Sequence, residues 1–247
     1  MTMKVLVIQV TIGTAGYLYK DNYAGVSDKF TEFLVPTVKR YCEKYGYDYT
    51  MITEEPKDKN IRFFNYDDKP RDYDYSKGGK NKSSTLVRYL NMNQPNYDAV
   101  VTLDNDIYIP PWAEPLPKIK GHMGVQDLGK PWDKFTRVHR VPQNKFVNGG
   151  VQMVDRETGR KLYDYISYVV DKQIPPIENI HSDQSYMNFF RSQNYDNSYV
   201  LDTKWNFMVP FHNLDGISPY RNQNFIHYAG QFARPIFEND RKRGLIE

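Results

Sequence analysis

The sequence has 247 residues, with 33 basic and 30 acidic side chains and a formal net charge of +3. This length suits one ordinary domain or a single large α/β domain, and so small a charge does not favour nucleic acid as a partner. No apolar run approaches the roughly 20 residues that a membrane helix needs, and the amino terminus lacks a signal-peptide pattern. With Cys42 as the single cysteine, these features predict a cytoplasmic protein without disulfides or a membrane span.

Apolar periodicity along the chain predicts strands that alternate with helices. The predicted strands cover residues 3–10, 47–52, 99–103, 146–154 and 225–228. The predicted helices cover residues 27–45 and 84–93 and the segments that follow Asp155 and Ser182 as caps. Pro36 is expected to kink or restart the first helix, and Gly46 is expected to end it. Alternation of this kind is typical of an α/β sheet.

Two polar segments lack this periodicity. Residues 56–82 mix basic and acidic side chains with a glycine pair, which is typical either of disordered chain or of a functional loop near a site. Residues 239–247 form a charged carboxyl-terminal tail. Both segments are candidates for lids that exclude water from a site.

The Asp104-Asn105-Asp106 motif is the strongest candidate for a functional site, because it directly follows the buried strand over residues 99–103. Two carboxylates at the carboxyl end of such a strand can direct oxygens at one divalent cation of the Mg²⁺ or Mn²⁺ type. The spacing alone means little, because Asp72 and Asp74 repeat it in a polar loop. An EF-hand is excluded, because the motif lacks the glycine and the further acidic position of that loop.

Three further motifs each have a functional and a purely structural interpretation. The Asn148-Gly149-Gly150 motif removes side chains from an apolar strand, either for the close approach of a ligand or as a β-bulge. Asp183-Gln184 opens a predicted helix, where an acidic first turn also complements the helix dipole. His227, followed by Gly230 and Arg234, offers a metal nitrogen and a phosphate contact, or is simply a packed histidine.

The order of these four motifs resembles that of the GT-A glycosyltransferases, in particular the retaining family 8 group (glycogenin-like and lipooligosaccharide galactosyltransferases) and the related family 34 enzymes. The family segments LDADIxV, FNxGV, DQDxLN and HFxGxxKPW match residues 103–109, 146–151, 183–188 and 227–236. One extra residue separates the phenylalanine from Asn148, and Ser185 stands where the family has a third aspartate. Arg234 replaces the family lysine one residue later, and the tryptophan is missing.

The resemblance implies an α/β fold of the GT-A, Rossmann-like type, with a central mostly parallel sheet flanked by helices. It implies a single catalytic domain over residues 1–247. The nucleotide-binding half would cover about residues 1–110 and the half that binds the donor sugar and the acceptor about residues 111–238, followed by the tail.

The resemblance also assigns roles to individual residues. Asp104, Asp106 and His227 would hold Mn²⁺ or Mg²⁺. Asp183 and Gln184 are the catalytic candidates, because the family's aspartate typically binds donor-sugar hydroxyls and its glutamine lies near the anomeric carbon. The implied donor contacts are Thr11, Ile12, Gly13, Arg88, Asp104, Asn105, Asn148, Gly149, Gly150, Gly230 and Arg234. Tyr17 or Tyr19 could stack on the base.

The implied activity is transfer of a hexose-type sugar from a nucleoside-diphosphate sugar, with a UDP-sugar favoured, to a hydroxyl of a glycan or glycoprotein acceptor, with retention. The alternatives are a non-catalytic module that binds nucleotide sugars or glycans, a haloacid-dehalogenase-type phosphohydrolase and a nucleotide-sugar pyrophosphorylase. The hydrolase motif normally follows the first strand. The pyrophosphorylase needs a basic glycine-rich loop there, whereas this chain has no basic residue between Val5 and Lys20.

Overall fold

The computed structural model describes residues 3–11, 24–54, 56–59, 86–128, 142–172, 174, 182–211, 220–229 and 233–247. The side chains of residues 24–31, 143, 182, 183 and 234 fall outside this description. The strands are β1 (Val5–Val10), β2 (Asp48–Ile52), β3 (Ala99–Leu103), β4 (Ile107–Tyr108), β5 (His122–Gln126), β6 (Val147–Asp155), β7 (Ser198–Leu201), β8 (Phe207–Met208) and β9 (Ile226–His227). The α-helices are α1 (Ala24–Tyr45), α2 (Arg156–Asp171), α3 (Ser182–Ser192) and α4 (Ala233–Lys242).

The main sheet has six strands in the order β2-β1-β3-β6-β5-β7. β1 runs parallel to β2 and β3, and β5 runs parallel to β7, whereas β6 is antiparallel to both of its neighbours. The sheet is therefore mostly parallel, as predicted. Since β6 runs in the opposite direction, its amino-terminal half lies at the same edge as the carboxyl ends of β1 and β3.

A second sheet of three short strands, in the order β4-β9-β8, adjoins this edge. Ile107 pairs with His227, and Met208 pairs with the same histidine from the other side. The sequence predicted only a strand around β9, because strands of two residues are too short to show a period. β5 and β7 were also missed.

The helices pack apolar side chains against the two sheets, with Val38 of α1 in the cluster of the main sheet and Leu34 in that of the second sheet. α1 buries Leu34 and Val38 completely, runs without a break through Pro36, and ends before Gly46, whose φ of 69° only glycine adopts readily. The predicted cap of α2 is confirmed, because Oδ1 of Asp155 accepts a hydrogen bond of 2.8 Å from the Thr158 N–H. α1 begins three residues before its predicted start.

The helix predicted over residues 84–93 was wrong. In the part that the structure describes, it is a helical turn at Leu86 and Val87 and a 3₁₀ turn at Tyr89–Asn91. The strand predicted over residues 146–154 is observed as β6, which is continuous through Asn148. In its pairing with β5, Gln152 lies opposite Gly124, but Val147 lies opposite Gln126. Five positions along β6 thus correspond to two along β5, and the glycine motif lies in this irregularity.

The carboxyl-terminal tail is anchored to the fold. Its first residues continue α4, and Ile246 is only 4% exposed within the cluster of apolar residues around the second sheet. The Glu247 N–H donates a hydrogen bond of 3.2 Å to the hydroxyl of Tyr108. Of the other candidate lid, only residues 56–59 lie within the described ranges.

Candidate metal centre and active site

Three side chains with metal-ligand chemistry converge where the two sheets meet. One ligand atom from each of Asp104, Asp106 and His227 lies within 4.8 Å of the others. Nε2 of His227 is 3.0 Å from Oδ1 of Asp106 and 3.7 Å from Oδ2 of Asp104. β3 positions the aspartates at its carboxyl end, and the pairing of β9 with β4 brings the histidine beside them. The sequence prediction grouped these three residues, and the structure brings them together.

Arg88 closes the cluster from the other side. Its Nη2 lies 2.6 Å from Oδ1 of Asp104, and its Nη1 donates a hydrogen bond of 2.9 Å to the carbonyl of Gly149. The arginine is only 7% exposed, whereas the Asp104 side chain is 29% exposed. The guanidinium therefore lies beneath the aspartate and joins it to β6.

The charges of the cluster depend on one another. Burial opposes ionisation of Asp104, but Arg88 and then His227 outweigh this effect and lower the pKa of the carboxyl. Burial likewise opposes protonation of His227, but Asp106 and then Asp104 outweigh it and raise the pKa of the imidazole. The carboxylates thus create a position that favours a cation, whether a proton on Nε2 or a metal ion.

The donor set fits a hard divalent cation. Oδ1 of Asp106 is buried and accepts no hydrogen bond from any residue that the structure describes, although Nε2 of His227 is close. Buried acceptors normally have a partner, and this oxygen is placed to accept a proton from Nε2 or to ligate a cation. Two carboxylates and one imidazole leave coordination positions that Mg²⁺ or Mn²⁺ commonly fills with water and substrate phosphates.

The glycine motif of β6 packs directly on this cluster. A Cβ atom on Gly150 would lie 2.7 Å from Nδ1 of His227 and still closer to Cε1, so only glycine lets the imidazole approach the strand. Oδ1 of Asn148 accepts hydrogen bonds from the Gly150 N–H at 2.8 Å and from Nδ2 of Asn206 at 3.0 Å. Both interpretations of the motif therefore hold, a close approach on one side and a strand irregularity on the other.

Gln184 extends the site along α3. Its Oε1 accepts a hydrogen bond of 3.2 Å from the Gly149 N–H, and its Nε2 donates to Oδ2 of Asp127. One turn later, Asn188 exchanges two hydrogen bonds of 2.9 Å with the backbone of Val147. These contacts hold the amino-terminal half of α3 against β6, close to the metal cluster. The side chain of Asp183 lies outside the described part of the chain.

The end of β1 is tied to the middle of the aspartate motif. Nδ2 of Asn105 donates to the carbonyl of Val10 at 2.8 Å and to Oγ1 of Thr11 at 2.7 Å. Nε2 of Gln9 donates to the carbonyl of Asp104 at 3.1 Å. Thr11 and Asn105 are thus neighbours. The remaining predicted contacts fall outside the described backbone or side chains: Ile12, Gly13, Tyr17, Tyr19, Gly230 and Arg234.

Two residues of the site were missed from the sequence. Asp127 follows the carboxyl end of β5, and the rule that selected Asp104, an acidic residue directly after an apolar strand, could have found it. Asn206 precedes the two-residue strand β8 and contacts the metal cluster through His227. No periodicity or motif in the sequence marks it.

No protein-family model matches the sequence, and no curated protein matches it significantly. Solved structures do match. A glycosyltransferase involved in glycosylation of the major capsid of PBCV-1 is 12% identical, with a TM-score of 0.58 over 95% of this chain and 98% of the other. The galactosyltransferase LgtC, in complex with donor and acceptor sugar analogs, is 13% identical, with a TM-score of 0.56 over 98% of this chain and 100% of the other.

A third structure, the bifunctional glycosyltransferase WbbM, is 13% identical, with a TM-score of 0.55 over 97% of this chain and 50% of the other. The chain is therefore similar to known glycosyltransferases over nearly its whole length and has their GT-A fold. The resemblance inferred from the four motifs is confirmed at the level of the fold. Among the helices that the structure describes, none is both long and apolar enough to cross a membrane.

Proposed function

We propose that this chain is a metal-dependent glycosyltransferase that moves a hexose-type sugar from a nucleoside-diphosphate sugar, with UDP as the nucleotide, to a hydroxyl of a glycan or glycoprotein. The observation that carries the proposal is the Asp104, Asp106 and His227 cluster, which lies with Arg88 at the carboxyl edge of a GT-A sheet. LgtC, which is similar in fold, was solved with donor and acceptor sugar analogs.

The difficult event in this reaction is departure of the diphosphate, which develops negative charge. A divalent cation held by the three ligands, Mn²⁺ in our proposal, would supply Lewis-acid stabilisation of that charge. Arg88 adds a second fixed positive charge and keeps Asp104 ionised. The predicted phosphate contact of Arg234 belongs to the same proposal and adds a cation near the amino end of α4.

The donor sugar would lie over the glycine motif of β6, next to Gln184. The Gly149 N–H and Asp127 orient the Gln184 amide from opposite ends, which keeps the end of this side chain in place. Transfer with retention requires either attack from the face that the diphosphate leaves or a covalent intermediate on a carboxylate. Asp183, at the start of α3, is the candidate for sugar contact or attack.

Thermal unfolding with UDP, GDP, CMP and ADP, each with and without Mn²⁺, tests the donor and the metal together. A ligand at 100 times its Kd stabilises the fold by about 2.7 kcal/mol. We expect UDP with Mn²⁺ to stabilise the wild type and not Asp106→Ala. Asp171→Ala is the matched control, because this aspartate pairs with Lys59 on the surface.

Turnover is then measured as UDP release from UDP-sugars with Mn²⁺, and NMR of the product sugar reports the anomer formed. Release of UDP, together with a product in which the transferred sugar keeps the anomeric configuration of the donor, supports the proposal in full. Nucleotide binding without turnover on any sugar would favour the non-catalytic module. Absence of metal-dependent nucleotide binding would contradict the proposal at its first step.

A further inference from the structure

Asn206 links the metal cluster to the backbone of β6 through a chain of hydrogen bonds. This asparagine is 1% exposed and lies directly before β8. Its Oδ1 is 2.9 Å from Nδ1 of His227, and its Nδ2 is 3.0 Å from Oδ1 of Asn148. Oδ1 of Asn148 in turn accepts a hydrogen bond of 2.8 Å from the Gly150 N–H.

The Gly150 N–H determines which atom donates and which accepts in each hydrogen bond of this series. A backbone N–H can only donate, so the atom of Asn148 that faces Gly150 must be its carbonyl oxygen. That oxygen can only accept, so the atom of Asn206 that faces it must be the amide nitrogen. The other end of the Asn206 amide is then an oxygen, and it faces Nδ1 of the imidazole.

A neutral imidazole carries one proton, either on Nδ1 or on Nε2. Asn206 presents an acceptor to Nδ1 and the Asp106 carboxylate presents one to Nε2, so each ring nitrogen of the metal-free imidazole has a partner for a proton. When a cation replaces the proton on Nε2, the one remaining ring proton is on Nδ1, where Asn206 accepts it. Nε2 is the nitrogen that faces Asp106 and Asp104. Metal ligation requires that lone pair, and groups that bond the other ring nitrogen fix the tautomer in known metal sites.

We propose that Asn206 is a positioning residue that holds the proton of His227 on Nδ1 and thereby orients Nε2 as a ligand for a divalent cation. The inference rests on the proposed function only in taking the cluster as a metal site. Gly150 supports the same arrangement, because the absence of a Cβ lets the imidazole lie where the asparagine can reach it.

Titration of the protein with Mn²⁺ alone, without nucleotide, is the first test. We expect Asn206→Leu to bind Mn²⁺ about 10–100-fold more weakly than the wild type, the usual effect of losing such an outer partner. Asn224→Leu is the matched control, because this asparagine is also buried at 3% exposure but bonds Glu114 instead of the histidine. The control should retain the wild-type affinity.

The hydrogen bond from Nδ1 is read from ¹⁵N NMR of the ring N–H groups in metal-free protein, with His227→Gln used to assign the signal. We expect an Nδ1–H that exchanges slowly with solvent in the wild type and rapid exchange or loss of this signal in Asn206→Leu. If the leucine variant does not fold, Asn206→Ser makes the same predictions, because its shorter side chain does not reach Nδ1.

Either of two results overturns the inference: an Nδ1–H that exchanges as fast in the wild type as in the Asn206 variant, or unchanged Mn²⁺ affinity in a folded Asn206 variant. A wild type that shows the protected Nδ1–H but binds no Mn²⁺ would instead contradict the proposed metal-dependent transferase. That result would leave the hydrogen bond from Nδ1 to Asn206 supported. The two proposals therefore fail in different measurements.

Discussion

The aspartate side of the metal centre, Asp104 at the end of β3, is built on a long buried strand, whereas the histidine side is built on strands of two residues. β3 is buried at every position and pairs along its length with β1 and β6, which leaves Asp104 directly at its end. His227 lies in β9, which pairs over only two residues with β4 and with β8. The backbone ladder therefore fixes Asp104 far more firmly than His227. Asp106 lies between β3 and the two-residue strand β4.

Side chains supply what the short ladder lacks on the histidine side. Next to His227, the hydroxyl of Tyr228 donates a hydrogen bond of 3.0 Å to the buried carboxyl of Asp240 in α4. Tyr220 donates to the same oxygen at 2.6 Å. On the other face, Gly150 and Asn206 contact the imidazole directly. Because the histidine side depends on these side-chain contacts, we expect single substitutions there to weaken metal binding more than substitutions on the aspartate side.

Gly150→Ala should produce the largest effect, because the added Cβ would overlap the imidazole ring of His227. The ring cannot yield without losing its contact with Asn206 or with Asp106. We expect about 100-fold weaker Mn²⁺ binding, together with a loss of about 1–3 kcal/mol in the free energy of unfolding from overpacking. Calorimetric Mn²⁺ titration and urea unfolding measure the two quantities.

Gly46→Ala is the control for Gly150→Ala. Gly46 has a φ of 69°, and a Cβ there would meet nothing within 4 Å, so alanine adds only backbone strain of about 1 kcal/mol. Metal affinity should not change. If Gly150→Ala bound Mn²⁺ as tightly as this control, the histidine side would be more tolerant than the comparison implies.

The same contrast explains what could be predicted from the sequence. A buried strand of five residues leaves a period and a composition that can be read, so β3 and the position of Asp104 were predicted correctly. The residue pattern around His227 left open whether it is a metal ligand or a packed histidine, and only the family resemblance grouped it with the aspartates, because a two-residue strand has no readable period. Asn206 acts through the orientation of one amide, which depends on three-dimensional contacts that no local pattern encodes.

Lowering the pH should have a smaller effect on Mn²⁺ affinity, and this effect comes from the histidine side. The carboxylates raise the pKa of His227, so the metal-free protein keeps a proton on the imidazole to a higher pH than usual. That proton competes with the metal, and we expect Mn²⁺ affinity to fall about tenfold for each pH unit below the raised pKa. Affinity that stayed constant on acidification would argue against histidine ligation.

Stability of the metal-free protein should show the opposite trend. Because folding raises the pKa of His227, its protonation stabilises the fold fully below the unfolded value of about 6.5. This stabilisation is lost as the pH rises through the raised pKa. The lowered pKa of Asp104 gives a contribution that is present above the ordinary carboxyl range and is lost on strong acidification. Urea unfolding over a pH series, with and without Mn²⁺, measures both trends.

The smallest effect should come from Asp155→Ala, at the end of β6 that lies away from the metal centre. This side chain caps α2 through the Thr158 N–H at 2.8 Å and also accepts from the Gly121 N–H at 2.6 Å. Loss of the cap should cost about 1–2 kcal/mol in the free energy of unfolding. Mn²⁺ affinity should not change, because β6 remains paired with β3 between the cap and Gly150. A weakened metal site in this variant would mean that the long sheet transmits local changes, and that the firmness of the aspartate side does not come from its ladder alone.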